Sequence, residues 1–222
     1  MRASHYPRLR SFIPVPFFEL LLHESYYILT TSTPFLSPRP NFAEAPLLVG
    51  LLANSDPAAR KYAEWTGKAC RRDGMRYELR TIDDPIDVEA ALMAANNDPK
   101  VHGIIVYYPI FGQVESFSGE SQDDYLRDTI SFKCDVEGLC HTYRTNLYRN
   151  VRFLDYPSNN KKCLLPCTAL SVVKILESCP DCYDMSQPIG RRMEGKTVTV
   201  INRSEIVGRP LAASKCPLNW MG

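Results

Sequence analysis

The stretch of this chain best suited to chemistry is Thr197 to Ala213, which reads Thr-Val-Thr-Val-Ile-Asn-Arg-Ser-Glu-Ile-Val-Gly-Arg-Pro-Leu-Ala-Ala. Val198, Val200 and Ile201 are β-branched and follow a turn-like Glu194-Gly195-Lys196, which predicts a buried strand. Arg203, Ser204 and Gly208 then offer a charge, a hydroxyl and a small residue. Pro210 suits the first position of a helix, where its missing N–H costs nothing. Strand, tight loop and helix N-terminus in this order aim backbone donors at anionic phosphates, the logic of a dinucleotide-binding turn.

The cysteines give a second set. Of the eight in the chain, Cys163 and Cys167 form one close pair and Cys179 and Cys182 another. Their spacing is not far from that of a zinc ribbon, so a zinc-stabilised, Cys-rich interaction module is one reading. The bland reading is free thiols, because no aromatic-glycine knuckle surrounds either pair. Single residues read blandly too. Tyr62 has the spacing of a core aromatic beside Trp65, Asp135 that of a solvated loop acid, and Thr168 that of a helix cap.

The elements that must position these groups alternate between strand and helix. Leu47 to Leu52 is a buried strand by length and composition. Asn54-Ser55-Asp56-Pro57 starts a helix that presents Ala58, Tyr62, Trp65 and Ala69 and ends at Asp73-Gly74. Tyr77, Leu79 and Thr81 alternate as a second strand. Pro85 opens a helix carrying Val88, Ala91, Leu92 and Ala95, which Asn96-Asn97-Asp98-Pro99 stops. His102 to Tyr108 is a third strand, apolar enough to be buried on both faces. Tyr125 to Phe132 predicts a helix, as does the stretch after Thr168 with Val172, Val173, Ile175 and Leu176. Val114 to Gln122, rich in Ser, Gly and Glu, predicts a mobile loop. Such alternation implies an α/β fold with a parallel sheet.

Composition narrows the function classes. Lys and Arg number 26 against 25 Asp and Glu, so a net charge of +1 gives no electrostatic case for nucleic acid or an acidic membrane surface. No apolar run approaches the roughly 20 residues of a membrane span; Phe12 to Leu22 is broken by Pro14, Pro16 and Glu19. Residues 1–44 are Pro- and Ser-rich. Arg2, Arg8 and Arg10 faintly suggest a mitochondrial leader, but Pro7, Pro14 and Pro16 spoil its amphipathic helix, and the expectation is a cytoplasmic protein.

Taken in order, several segments resemble the methylenetetrahydrofolate dehydrogenases, and within them the fungal NAD-dependent monofunctional branch. They are Leu51 to Tyr62 (Leu-Leu-Ala-Asn-Ser-Asp-Pro-Ala-Ala-Arg-Lys-Tyr), His102 to Pro109 (His-Gly-Ile-Ile-Val-Tyr-Tyr-Pro), Cys134 to Leu139 (Cys-Asp-Val-Glu-Gly-Leu), Leu165 to Thr168 and Val200 to Pro210. The resemblance implies an N-terminal α/β catalytic domain over residues 45–165. At 166–222 it implies the first strand and turn of a Rossmann-like NAD(P) domain, with folate held in the cleft between the two. It implies hydride transfer from 5,10-methylenetetrahydrofolate to NAD, with NADP as the alternative cofactor, and a homodimer for the full-length protein. The cofactor carries the redox chemistry and the protein orients the two reactants.

By the same resemblance Tyr62 is the active-site tyrosine that packs on folate. Thr66 stands where bifunctional relatives carry the lysine that drives cyclohydrolase chemistry, so cyclohydrolase activity is expected to be missing. Asp135 matches the acid that bonds the pterin edge. Tyr107 replaces a glutamine, and Pro109 follows it in the substrate-binding segment. Thr168, Asn202, Arg203, Ser204, Ile206 and Gly208 match cofactor positions, and no metal is implied. Ser214 to Gly222 replaces the rest of the cofactor domain, so the chain is expected to be incomplete there. An inactive folate-binding remnant without a nicotinamide site is therefore carried beside the dehydrogenase and the zinc module.

Overall fold

The computed structural model describes residues 44–112, 114–188 and 191–215. The irregular segment expected at 1–44 lies outside them except for Glu44, as do residues 216–222.

The chain enters a central strand, β1 (Leu47–Leu52), flanked by β2 (Arg76–Thr81) and β3 (Gly103–Val106) in the order β2-β1-β3, all parallel. Parallel neighbours need crossovers, and helices supply them. Helix α1 (Pro57–Arg72) follows β1, and α2 (Val88–Asn97) follows β2 after a short 3-10 turn at Pro85–Asp87. Both helix starts are chemical. The Asp56 side chain accepts from Ala58 N at 2.9 Å, with Pro57 at the first position; the Asp84 side chain accepts from Ile86 N ahead of α2. Gly74 takes φ 77° where α1 turns into β2, a conformation that favours glycine.

Side-chain alternation along β1 and β3 builds two cores. Val49, Leu51, Ile104 and Val106 face Leu92 and Ala95 of α2. Leu48, Leu52, Ile105 and Tyr107 face Ala59, Ala63 and Cys70 of α1. Burial on both faces makes β3 the continuous apolar run expected. Leu51, Leu52, Leu92 and Ile104 are fully buried, each contributing about 1.5–3 kcal/mol.

Three further helices follow: α3 (Gln122–Thr129), α4 (His141–Tyr148) and α5 (Cys167–Glu177). Helix α3 starts and ends earlier than Tyr125 to Phe132, because Ser121 caps it through Asp124 N and Ile130 is extended. The preceding Val114 to Gln122, expected as a mobile loop, carries local backbone bonds of its own. Ser116 N donates to Glu120 O at 2.7 Å, Gln122 N to Val114 O at 2.8 Å, and Glu115 bridges Ser121. In α5, Thr168 is not the cap: Pro166 occupies that position in an extended conformation, without a side-chain cap bond, and Thr168 is already helical.

The largest departure is Thr197 to Ile201. No strand forms there, and Ile201 is 96% exposed. Among the described residues no strand lies beside it, so its amides and carbonyls find no ladder, and apolar side chains alone do not make a strand. The last helix, α6 (Gly208–Lys215), forms as expected, with Pro210 at its third rather than first position. Helices α5 and α6 share a small core of Ala169, Val173, Leu211 and Tyr183.

Candidate functional site

At the C-terminal end of the sheet, α1, β3, the loop after Cys134, the start of α5 and the loop before α6 converge on a cavity of about 180 Å³. Residues at the C-terminal ends of parallel strands are where α/β sheets bind ligands. Its walls include Tyr62, Tyr107, Tyr108, Glu137, Thr168 and Ile206. Residues expected on folate and on cofactor thus meet at one place.

Aromatic geometry organises the floor. Tyr62 and Tyr107 meet edge to face, centroids 5.2 Å apart and planes at 80°. The Tyr107 hydroxyl lies 2.8 Å from that of Tyr77 on β2. Tyr77 fits because Gly50 and Gly67 leave room: a Cβ at Gly50 would sit 2.5 Å from its hydroxyl, and one at Gly67 2.8 Å from its ring. Burial raises the pKa of Tyr62 and of Tyr107 far above the ordinary tyrosine value, so both stay neutral phenols. Thr66 is buried beneath this floor, its hydroxyl donating to Tyr62 O at 3.0 Å one turn back. It does not line the cavity.

The acid in the cavity is Glu137, not Asp135. Asp135 is 2% exposed and spends both oxygens on its own loop. Oδ1 accepts from Glu137 N and Gly138 N at 2.9 Å each, and Oδ2 from Cys140 N at 2.8 Å. Asp135 therefore folds the turn that presents Glu137. Burial, and after it the Asp135 charge, pushes the Glu137 carboxyl up from 4.5 to about 8, against the Val106 backbone and Arg127, which lower it. What exposure Glu137 keeps is toward the cavity. The spacing Asp135-Val136-Glu137 carries no signal that separates the two acids; the three N–H groups that Asp135 collects do.

The loop after β3 is held from outside the cavity. Asn54 Nδ2 donates to Tyr107 O at 2.8 Å and to Pro109 O at 2.9 Å. Asp123 accepts from Ile110, Phe111 and Gly112 N–H. Tyr108–Pro109 is cis, and Pro109 is exposed and off the cavity wall. Above this loop the Arg127 guanidinium lies 4.7 Å from the centre of the Tyr108 ring. The Tyr108 hydroxyl is buried with no hydrogen-bond partner. Neither Asn54, Asp123 nor Tyr108 stands out in the sequence.

On the opposite wall, Asn202 organises its loop. Its Oδ1 accepts from Ser204 N at 2.9 Å, from Ser204 Oγ at 2.9 Å and from Gly208 N at 3.1 Å. Ser204 Oγ in turn accepts from Val207 N. A Cβ at Gly208 would sit 2.0 Å from Asn202 O, so only glycine closes this loop. Arg203 is exposed beside it. Helix α4 fixes the loop through Glu205, which the Tyr148 hydroxyl meets at 2.7 Å and Arg144 at 3.7 Å; Arg144 also donates to Asp128 of α3 at 2.7 and 2.8 Å.

The cysteine pairs do not assemble. Among the described residues no three His, Cys, Asp or Glu come together to hold a metal, so the zinc module has no ligand set there.

Residues 36–137 match the family described as tetrahydrofolate dehydrogenase/cyclohydrolase, catalytic domain. The chain is 52% identical over 172 residues to the methylenetetrahydrofolate dehydrogenase [NAD(+)] of Schizosaccharomyces pombe, covering 78% of this chain and 51% of that protein. It is 46% identical over 168 residues to the enzyme of that name from Dictyostelium discoideum, covering 76% and 51%. Among solved structures, the NAD-dependent 5,10-methylenetetrahydrofolate dehydrogenase of Saccharomyces cerevisiae superposes with a TM-score of 0.71 at 44% identity, over 90% of this chain and 58% of that one. The chain spans about half the length of the curated relatives it matches.

Proposed function

Because the chain belongs to the tetrahydrofolate dehydrogenase/cyclohydrolase family, we propose that it carries the folate site of an NAD-dependent methylenetetrahydrofolate dehydrogenase. The observation that carries this is a tyrosine-walled cavity with one protonatable acid, Glu137, and one unpartnered buried hydroxyl, that of Tyr108. Buried polar groups without partners are rare in folded proteins and call for an explanation. A pterin presents an apolar ring face and an edge of adjacent N–H donors. The Tyr62 ring receives the face, and the Glu137 carboxylate receives the donors.

The folate unit is residues 45–165, and 166–222 begins the cofactor side. Described residues fit the phosphate of a dinucleotide at one edge of the cavity: Arg203 presents an exposed charge next to the loop that Asn202 closes and the N-terminus of α6. NAD, when bound, supplies the hydride acceptor. The chain's own residues orient the folate: Tyr62 and Tyr107 form a dry, neutral floor, and the Asn54 and Asp123 clamps hold the loop after β3. Thr66 carries neither charge nor base and lies below the floor, which supports dehydrogenase without cyclohydrolase activity. A homodimer and a cytoplasmic location complete the reading. The dimer rests on the family resemblance.

A second reading is folate binding without hydride transfer. It is favoured by the exposure of Ile201 and the absence of a strand at Thr197 to Ile201 among the described residues. Equilibrium binding of tetrahydrofolate and of NAD to this chain, together with NADH formation on adding 5,10-methylenetetrahydrofolate, separates the two. Folate binding with NADH formation supports the first reading, folate binding alone the second, and no folate binding removes both.

A further inference from the structure

Away from the cavity, Cys179 and Cys182 lie in the turn that follows α5, their sulfurs 3.2 Å apart with the Cys179 thiol donating to Cys182. Backbone bonds hold the turn: Cys179 N to Leu176 O at 3.0 Å, and Cys182 N and Tyr183 N to Cys179 O at 2.9 Å each. Tyr183 anchors the exit, buried against Ala169, Val173 and Leu211. Both cysteines are partly exposed, whereas Cys70, Cys134, Cys140 and Cys163 are buried. Two accessible thiols fixed one turn apart, with no third ligand among the described residues, form a dithiol rather than a metal site.

We propose that Cys179 and Cys182 form a reversible redox couple, a dithiol that low-molecular-weight disulfides convert to an intramolecular disulfide. One thiol loses its proton to solvent, and its thiolate attacks a sulfur of the small disulfide. That S–S bond breaks, and the leaving thiolate takes up a proton. The second cysteine, deprotonated in turn, attacks the protein sulfur of the mixed disulfide and expels the second small thiol. The protein dithiol is oxidised by two electrons, and one small disulfide is reduced to two thiols. The sulfurs need to approach by about 1 Å to reach bonding distance, which side-chain rotation within the turn supplies. The Cys182 pKa is raised, by its sulfur neighbour first and desolvation second. The equilibrium composition is the informative readout. The couple is independent of the folate reading, since no residue of the cavity takes part.

The test equilibrates the whole reduced chain in glutathione–glutathione disulfide buffers, alkylates the remaining thiols and maps the peptides by mass. The expected result is that Cys179 and Cys182 leave the alkylated pool together as one linked peptide, reversibly with dithiothreitol. C179S and C182S should each stop at a glutathione adduct on the remaining cysteine of the pair. Three findings in wild-type protein that keeps its circular dichroism spectrum would overturn the proposal: both cysteines staying as thiols in the most oxidising buffer, separate glutathione adducts on each, or linkage of either to Cys167.

Discussion

The Tyr77 and Tyr107 hydroxyls, 2.8 Å apart, tie the edge strand β2 to the floor of the cavity. Tyr107 lines the cavity, and Tyr77, packed over Gly50 and Gly67, decides where Tyr107 can stand. Tyr77→Phe removes that bond and leaves the Tyr107 hydroxyl beside an apolar ring, with Thr66 as its remaining partner. The expected cost in stability is about 1 kcal/mol, with weaker tetrahydrofolate binding and an unchanged fold. Thermal melts and calorimetric titration check this. Gly50→Ala should cost more, because its Cβ would lie 2.5 Å from the Tyr77 hydroxyl.

Glu137 makes both stability and binding depend on pH. Its folded pKa of about 8 lies above the ordinary 4.5, because burial opposes the charged form. The folded state therefore holds a proton that the unfolded state releases. Its stabilising contribution is full below 4.5 and is lost as pH rises to about 8, at up to ~1.4 kcal/mol per pH unit. Glu137→Gln should flatten that slope in denaturant titrations across the same window. If the pterin edge takes the carboxylate form, affinity runs the other way, tightening by up to about tenfold per unit as pH rises toward 8. Binding below 8 should release a proton, seen as a buffer-dependent heat. Equal slopes in wild type and Glu137→Gln would remove this account.

Thr66 does not line the cavity. Its hydroxyl is satisfied within α1 by Tyr62 O, an arrangement that contributes little to a helix. Thr66→Val, close in volume, should shift the melting free energy by less than about 1 kcal/mol and leave tetrahydrofolate affinity within twofold. A large loss of affinity without unfolding would show that Thr66 acts on the ligand directly.

The central architecture was legible in the sequence because each strand and helix carries its own signals. Leu47 to Leu52 is apolar on both faces, Asp56-Pro57 and Asp84-Pro85 are helix starts, and Gly74 ends α1. What failed to read depends on partners distant in the chain. Thr197 to Ile201 has strand composition, but a strand needs a neighbour, and none is beside it among the described residues. Pro166 displaced Thr168 as cap of α5 through its own backbone conformation. Within the site, Tyr62, Tyr107 and Asp135 were named from the resemblance, while Glu137, which lines the cavity where Asp135 does not, was not. Motif spacing identifies an acidic turn but not which carboxylate faces inward; that is set by the three N–H groups that Asp135 collects.

The Asp135 and Glu137 pair gives the sharpest test of the site. Asp135→Asn can still accept through its remaining carbonyl oxygen, but its new amide N–H₂ must face donors, either the Cys140 N–H or the Glu137 and Gly138 N–H pair. A buried donor facing a donor costs roughly 1–3 kcal/mol, so the variant should melt earlier and lose folate affinity only as far as the turn loosens Glu137. Glu137→Gln, by contrast, should keep or raise stability near pH 8 while losing affinity and its pH dependence. Measured side by side, a variant pair in which Asp135→Asn loses binding at unchanged stability would return the ligand contact to Asp135. The opposite pattern, stability lost at 135 and binding lost at 137, fixes Asp135 as the residue that positions the turn and Glu137 as the one that meets the pterin.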